Sequence, residues 1–241
     1  GHDTASAIAG IPVKPGRRWG YISSGTWSLV GGETKAPITN DAAVRYQITN
    51  EGGVEGSIRF LKNVCGMWLL EQSLAEWERA GAKPGYDEIV RSAAETPAFR
   101  SLINPDEARF AAPASMLEAI RSFCRETSQP VPETVGQVAR CIFESLALRY
   151  RSVFEEIAEA TGETVEEIHI VGGGSRNAFL NQMTADATGH RVIQGPSEAT
   201  VMGNIALQAV ALGAFASIAD YRRSQADAGG ARAYDPEGGA A

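Results

Sequence analysis

Cysteine is scarce in this 241-residue chain, with only Cys65, Cys124 and Cys141 and no C-x-x-C pair. So few thiols argue against a disulfide-stapled fold and against a structural zinc site, and suggest a reducing compartment, here the cytoplasm. Cys124 and Cys141 fall on neighbouring predicted helices, so a single bridge between them stays open. Long apolar runs are also missing: none approaches the ~18 residues of a membrane span, and no signal peptide opens the chain. Basic charge is in deficit, 22 Lys and Arg against 29 Asp and Glu, for a net charge of −7. That balance argues against nucleic acid or an anionic membrane as the main partner. What remains is an ordinary globular composition, 44% hydrophobic and 21% charged, long enough for one sizeable core.

The most informative stretch present is Ile168-His169-Ile170-Val171-Gly172-Gly173-Gly174-Ser175-Arg176-Asn177. It reads as a buried strand, a glycine turn and the start of a helix. Such a turn lets the backbone reach positive φ and lets a ligand approach without Cβ atoms in the way. A helix N-terminus behind it suits a phosphate or a nucleotide. The same turn also occurs in βα units that bind nothing, and the motif alone does not decide between them. Two common fingerprints are absent. A P-loop needs Lys and then Ser or Thr after its last glycine, where Ser175-Arg176-Asn177 stands. A dinucleotide fold needs a third glycine at the position of Asn177 and an acid closing the next strand, and Arg191-Val192-Ile193-Gln194 ends without one.

Along the chain, residues 4–11 predict a short helix, and 19–31 predict two strands around a Ser-Gly-Thr turn. Residues 45–50 and 57–61 alternate as two more strands joined through Glu51-Gly52-Gly53. From Leu61 to Ala80 the apolar spacing turns helical, with Leu61, Val64, Trp68, Leu69 and Leu74 on one face. A Pro- and Gly-punctuated excursion over 81–113 holds one short helix near Asp87–Ala94. Helices are predicted over 115–127 and 133–161, the second with a broad apolar stripe and Gly162 as its stop. The Ile168 strand, a helix over 176–188, the Val192 strand and a small-residue helix over about 198–212 follow. Hairpins first and βαβα alternation second predict one α/β layered domain on a mixed sheet.

Several segments, taken in order, resemble the C-terminal half of the FGGY carbohydrate kinase family. They are Gly1-His2-Asp3-Thr4-Ala5-Ser6-Ala7, Ser24-Gly25-Thr26-Trp27-Ser28-Leu29, Ile48-Thr49-Asn50-Glu51-Gly52-Gly53, Leu61-Lys62-Asn63-Val64, His169-Ile170-Val171-Gly172-Gly173-Gly174 and Gly195-Pro196-Ser197-Glu198-Ala199-Thr200 with Gly203-Asn204. Within the family, the Gly-Thr-Trp-Ser and Ile-Thr-Asn-Glu-Gly-Gly segments point to a ketose kinase. The resemblance implies an actin-like ATPase (ribonuclease H-like) lobe, with a mixed sheet and packed helices. It implies transfer of the γ-phosphoryl of ATP, with Mg²⁺, to a hydroxyl of a small sugar, in a cleft closed by a second, N-terminal lobe. On this reading residues 1–226 are the ATP-binding lobe, 1–10 are the end of the missing lobe, and 227–241 are a flexible tail. The start at Gly1, without an initiator Met, is expected for a piece of a longer protein. A kinase of the same family acting on another ketose or polyol stays open, as does an actin-like module that binds nucleotide without transferring phosphate.

The resemblance also assigns roles. Asp3 matches the base of the family's Gly-x-Asp-x motif, and a carboxylate there can take the proton of the attacking hydroxyl. His2, Thr4 and Asn63 match positions beside the sugar. Gly25 and Thr26 match a phosphate-binding turn, which is also what an ordinary hairpin would use. Gly172, Gly173, Gly174 and Asn177 match the adenosine-side loop. Glu71 stands where a Gln is expected beside the nucleotide, so it is expected either to point away or to yield its place to Gln72. No metal-ligating side chain is expected.

Overall fold

The computed structural model describes residues 3–14 and 16–237, so the expectation for His2 lies outside the described residues. Seven strands form one mixed sheet. The first hairpin pairs β1 (Trp19–Ser24) with β2 (Trp27–Thr34), antiparallel, through the Gly25-Thr26 turn. β3 (Thr49–Gly52) and β4 (Ile58–Cys65) extend that side, while β5 (Glu167–Val171) runs parallel to β1 and β6 (Arg191–Gln194) parallel to β5. A two-residue strand, β7 (Ala233–Tyr234), closes the edge antiparallel to β6, giving the order β3-β4-β2-β1-β5-β6-β7.

Helices cover both faces. α1 (Asp3–Ala9) begins the described chain, and α2 (Asp41–Arg45) is a short helix between β2 and β3. α3 (Trp68–Arg79), α4 (Tyr86–Glu95), α5 (Met116–Glu126) and α6 (Val135–Thr161) follow β4. α7 (Ala178–Thr188) links β5 to β6, while α8 (Ala199–Ala211) and α9 (Ile218–Ala228) precede β7. The 27-residue α6 is closed by a Thr134–Gln137 capping box and by left-handed Gly162 at φ 73°. Its Val138, Ile142, Leu146 and Val153 pack with Ile22, Val30, Val64 and Ile170 of the sheet as the main core. On the opposite face Ala7 and Ile8 of α1 and Ala199 of α8 pack over Tyr21, Leu61 and Val171.

Four expectations need correction. Residues 61–65 are not helical: β4 continues to Cys65 and the helix starts at Trp68. β4 is central and buried on both sides, Phe60 and Val64 toward α6 and Leu61 toward α1, so its apolar residues fall at spacings that mimic a helix. Residues 45–50 do not form one strand, because Asn40 caps the N-terminus of α2 through the Ala43 amide and Arg45 ends that helix. Residues 227–237 are not a frayed tail: Asp227 and Ala228 finish α9, and Tyr234 is buried in β7. The helix behind the glycines opens at Ala178, after a 3₁₀ turn over Gly173–Arg176, rather than at residue 176. Cys65, Cys124 and Cys141 are all free and buried, and the Cys124 and Cys141 thiols are neighbours that interact without a bond between the sulfurs.

Candidate functional site

β1 and β5 are parallel neighbours, so the turns that follow them emerge at the same edge of the sheet. After β1 comes Gly25-Thr26, exposed and backed by α3: the Met67 and Trp68 amides donate to the Gly25 and Thr26 carbonyls at 2.9 and 3.0 Å. After β5 comes the glycine turn. Gly172 has φ 85°, and a Cβ there would sit 2.7 Å from the Ser24 carbonyl oxygen. A Cβ on Gly174 would lie 2.0 Å from Ser24 Oγ, whereas around Gly173 nothing lies within 4 Å. The two outer glycines therefore let the turns of β1 and β5 touch, and the middle one faces open space. Ligands of open α/β sheets bind outside the carboxyl ends of parallel strands, and this edge is such a place.

The glycine turn is tied to the loop after β6. Gly172 N–H donates to the Pro196 carbonyl at 3.1 Å, Ser175 Oγ to the Gly195 carbonyl at 3.2 Å, and Arg176 to Ser197 Oγ at 3.0 Å. Asn177 is buried and caps α7 by accepting from the Leu180 amide at 3.0 Å. Its amide group also lies against Tyr86, whose phenol burial raises above the ordinary range while Asn177 opposes the shift. Asn177 thus shapes the loop from beneath, as a buried cap of α7.

Glu71 turns toward the edge. Thr26 Oγ1 donates to Glu71 Oε1 at 3.2 Å, with both side chains exposed. Of the two expectations for Glu71, that it points away or that Gln72 takes its place, the first does not describe this carboxylate in its contact with the turn, since it is the partner of the turn hydroxyl.

Asp3 is exposed at the first position of α1. Its carbonyl accepts from Thr200 Oγ1 at 3.2 Å, and Thr200 lies in the first turn of α8, just beyond the β6 loop. α1 and α8 cross almost backbone to backbone, since a Cβ on Gly203 would fall 1.6 Å from the Ser6 carbonyl oxygen. Thr4 is half-buried beside Asp3, and Asn63 is exposed near the end of β4, in register with Leu29. Leu29 and Leu61 lie on the α1 face of the sheet, and Asn63, two residues after Leu61, shares it. Asp3 and Asn63 thus lie on the α1 side of the sheet, and Thr26 with Glu71 on the α3 side. Arg176 and Thr200, which fasten the loops together, were not singled out by sequence reasoning. Thr200 sits in a quoted motif, but only the fold shows its partner.

Among the described residues no three His, Cys, Asp or Glu side chains come together as a metal site. No described helix is long and apolar enough to cross a membrane.

The strand order β4-β2-β1-β5-β6, with only β2 running against the others, defines an actin-like ATPase lobe of the ribonuclease H type. The model of the FGGY family of carbohydrate kinases, C-terminal domain, matches residues 20–212, and the chain belongs to that family. Over 223 residues, 92% of the chain, it is 52% identical to a rhamnulokinase of Bacteroides thetaiotaomicron, and over the same length 49% identical to one of Pectobacterium carotovorum. It spans 45% and 44% of those two proteins, respectively. Among solved structures, gluconate kinase from Lactobacillus acidophilus superposes with a TM-score of 0.69 at 13% identity, covering 98% of this chain and 46% of that one. That likeness is one of fold.

Proposed function

We propose that this chain is the C-terminal, nucleotide-side lobe of a cytoplasmic ATP-dependent kinase that phosphorylates L-rhamnulose at O1, giving L-rhamnulose 1-phosphate and ADP. The observation that carries this reading is the 52% identity to a rhamnulokinase over 92% of the chain. Geometry supports it. The Gly25-Thr26 turn and Gly172–Gly174 meet at one edge where Gly25, Thr26 and Gly173 are exposed and a nucleotide meets no Cβ at Gly173. Asp3 and Asn63 lie on one face beside that edge, where a sugar would sit.

In this reading the Gly25-Thr26 backbone and the Thr26 hydroxyl hold the nucleotide phosphates, and the Gly172–Gly174 turn with Asn177 takes the adenosine side. Thr4 and Asn63, with His2, orient the sugar. Asp3 takes the proton of the 1-hydroxyl as its oxygen bonds to phosphorus and the bond to the leaving ADP oxygen breaks. Mg²⁺, carried in on the nucleotide, supplies charge neutralisation at the phosphates. Positioning is most of such catalysis, and half of it is assigned to the N-terminal lobe. The surface for that lobe is α8, where Val201, Ile205 and Leu212 are 53, 51 and 85% exposed.

The test uses the full-length protein, assayed for ADP release with Mg-ATP over L-rhamnulose, L-fuculose, D-xylulose and L-ribulose. Preference for L-rhamnulose is expected, and preference for another ketose would move the assignment within the family. Asp3→Asn is expected to lower kcat by about 10²–10⁴-fold, the range of a general base, with ATP affinity nearly unchanged. Nucleotide binding with no sugar-dependent turnover would leave a binding module instead.

A further inference from the structure

On the α1–α8 face the structure holds a cavity of about 730 Å³ that runs from the first residues of β5 and β6 to Gly195 and Pro196, the loop tied to the glycine turn. Its floor is the α1-facing side of β5 and β6, through Glu167, His169 and Arg191. Its walls are the segment after α1, with Lys14 and Arg17, and the loop between α9 and β7, with Arg232. Glu167 and Arg191 begin their strands, so this end of the cavity faces the opposite edge of the sheet from Gly25 and Gly173.

Four cationic side chains and one carboxylate line this space, in a chain whose net charge is −7. The carboxylate is already engaged: Glu167 Oε1 lies 3.2 Å from His169 Nε2. The hydrogen bond from His169 holds the Glu167 carboxyl below its ordinary range against the opposing effect of burial, and Arg17 and Arg191 add to the lowering. The other acids nearby stand at the rim. Glu166 meets Arg17 at 3.9 Å, and Asp235 meets Arg191 at 3.5 Å, both exposed pairs that water and salt weaken. Lys14 has no ion pair among the described residues. His169 itself is only 1% exposed, and its Nδ1 finds no hydrogen-bond partner among the described residues. A buried ring nitrogen left without a partner is unfavourable, and such atoms call for an explanation.

We propose that this cavity binds a small anion carrying at least two charges, of the phosphate-ester class. The guanidinium forks of Arg191 and of Arg232, the latter 5.0 Å over the Tyr234 ring, match phosphoryl oxygens, Lys14 supplies a point charge, and His169 Nδ1, the acceptor nitrogen while Nε2 donates to Glu167, takes a hydrogen bond from a hydroxyl of the ester at the floor. The convergence of cations over an orphaned buried nitrogen is the observation that points to a ligand rather than to a solvated basic patch. The inference does not depend on which sugar the protein phosphorylates.

The experiment is a calorimetric titration of the full-length protein with inorganic pyrophosphate, with ADP kept saturating so that the strand-end turns are filled. Saturable binding is expected. The double variant Arg191→Gln/Arg232→Gln is expected to weaken it by about tenfold or more, the loss of two charge-assisted contacts. Arg79→Gln, on the exposed side of α3, is expected to leave it unchanged. All three proteins should bind ADP equally, which shows that they are folded. Equal affinity in the double variant overturns the proposal. So does the absence of saturable binding up to about 10 mM, the result expected if the N-terminal lobe covers the cavity with a carboxylate of its own.

Discussion

Thr26 and Glu71 bring a contradiction down to two side chains. The turn that carries Thr26 is read as a phosphate-binding turn, yet its hydroxyl donates to a carboxylate at 3.2 Å. A phosphate arriving there meets like charge, which disfavours binding, and must also take the hydroxyl from its partner. Both carboxylate and hydroxyl are exposed, so water and salt soften the repulsion without removing it. Replacing Glu71 with Gln removes the charge and keeps a group able to accept from Thr26. Glu71→Gln is therefore expected to lower KM for ATP about three- to tenfold, on the order of 1 kcal/mol, with a smaller gain at high salt. Steady-state kinetics at two ionic strengths would check it. An unchanged or raised KM would mean that Glu71 helps to hold the nucleotide, for instance by fixing Thr26 or through the metal, and the repulsion argument would fail.

At the scale of elements, the proposed function gives α1 its weight because it carries Asp3, yet the helix is only seven residues long and has little stability of its own. Arg222 of α9 holds its far end. The guanidinium donates to the Ile8 and Ala9 carbonyls at 2.9 and 3.2 Å, pairs with both Glu33 oxygens at 3.0 and 2.7 Å, and lies 5.1 Å from the Trp19 ring centre. One buried side chain thus joins α9, β2, β1 and the C-terminus of α1, where a cation also suits the helix dipole. Arg222→Met is expected to cost about 3 kcal/mol, as for a buried pair that loses one partner. That is roughly 6–12 °C in Tm for a domain of this size. The kcat should fall more than KM for ATP changes, because the helix carrying Asp3 loses its anchor. Thermal melting and kinetics on the full-length variant would test this, and an unchanged Tm would sink it. Nothing in the sequence marks Arg222, since its partners lie 189 and 214 positions away. Local signals did reveal α6 and its Gly162 stop, because caps and stripes act within one helix. They misread β4, whose two-sided burial leaves no period of two, and missed β7, a two-residue strand that exists only through its pairing with β6. α9 was also missed, although Ser217 caps it through the Asp220 amide at 3.1 Å, a pattern that can be read from sequence.

For the molecule as a whole, the site was legible as motifs but not as a place. Three glycines and a Ser-Gly-Thr turn are visible in the chain, whereas their meeting at one edge depends on β1 and β5 being parallel neighbours. The chain spans 45% of the length of a rhamnulokinase relative, and the proposed function assigns the other half of the cleft to the remainder. The α8 surface shows what that leaves open. Val201, Ile205 and Leu207 of α8 and Leu212 just after it are all exposed. Apolar surface of this kind seeks cover, from its proper lobe or from another copy. Two consequences follow for the isolated chain. On the proposed function, Asp3 without the opposite wall would meet a sugar hydroxyl in no closed geometry that holds it in line with the phosphate, and proximity accounts for much of such a rate. Sugar-dependent ADP release by the isolated chain is therefore expected to fall at least about a thousandfold below that of the full-length protein. The isolated chain should also self-associate through α8, and Leu212→Glu with Ile205→Glu should return it to a monomer by light scattering. Adding the N-terminal half as a separate chain should both compete with self-association and raise turnover, because the two processes use one surface. Turnover by the isolated chain near the full-length rate would show that the cleft needs no second lobe, and would overturn the two-lobed reading at its root.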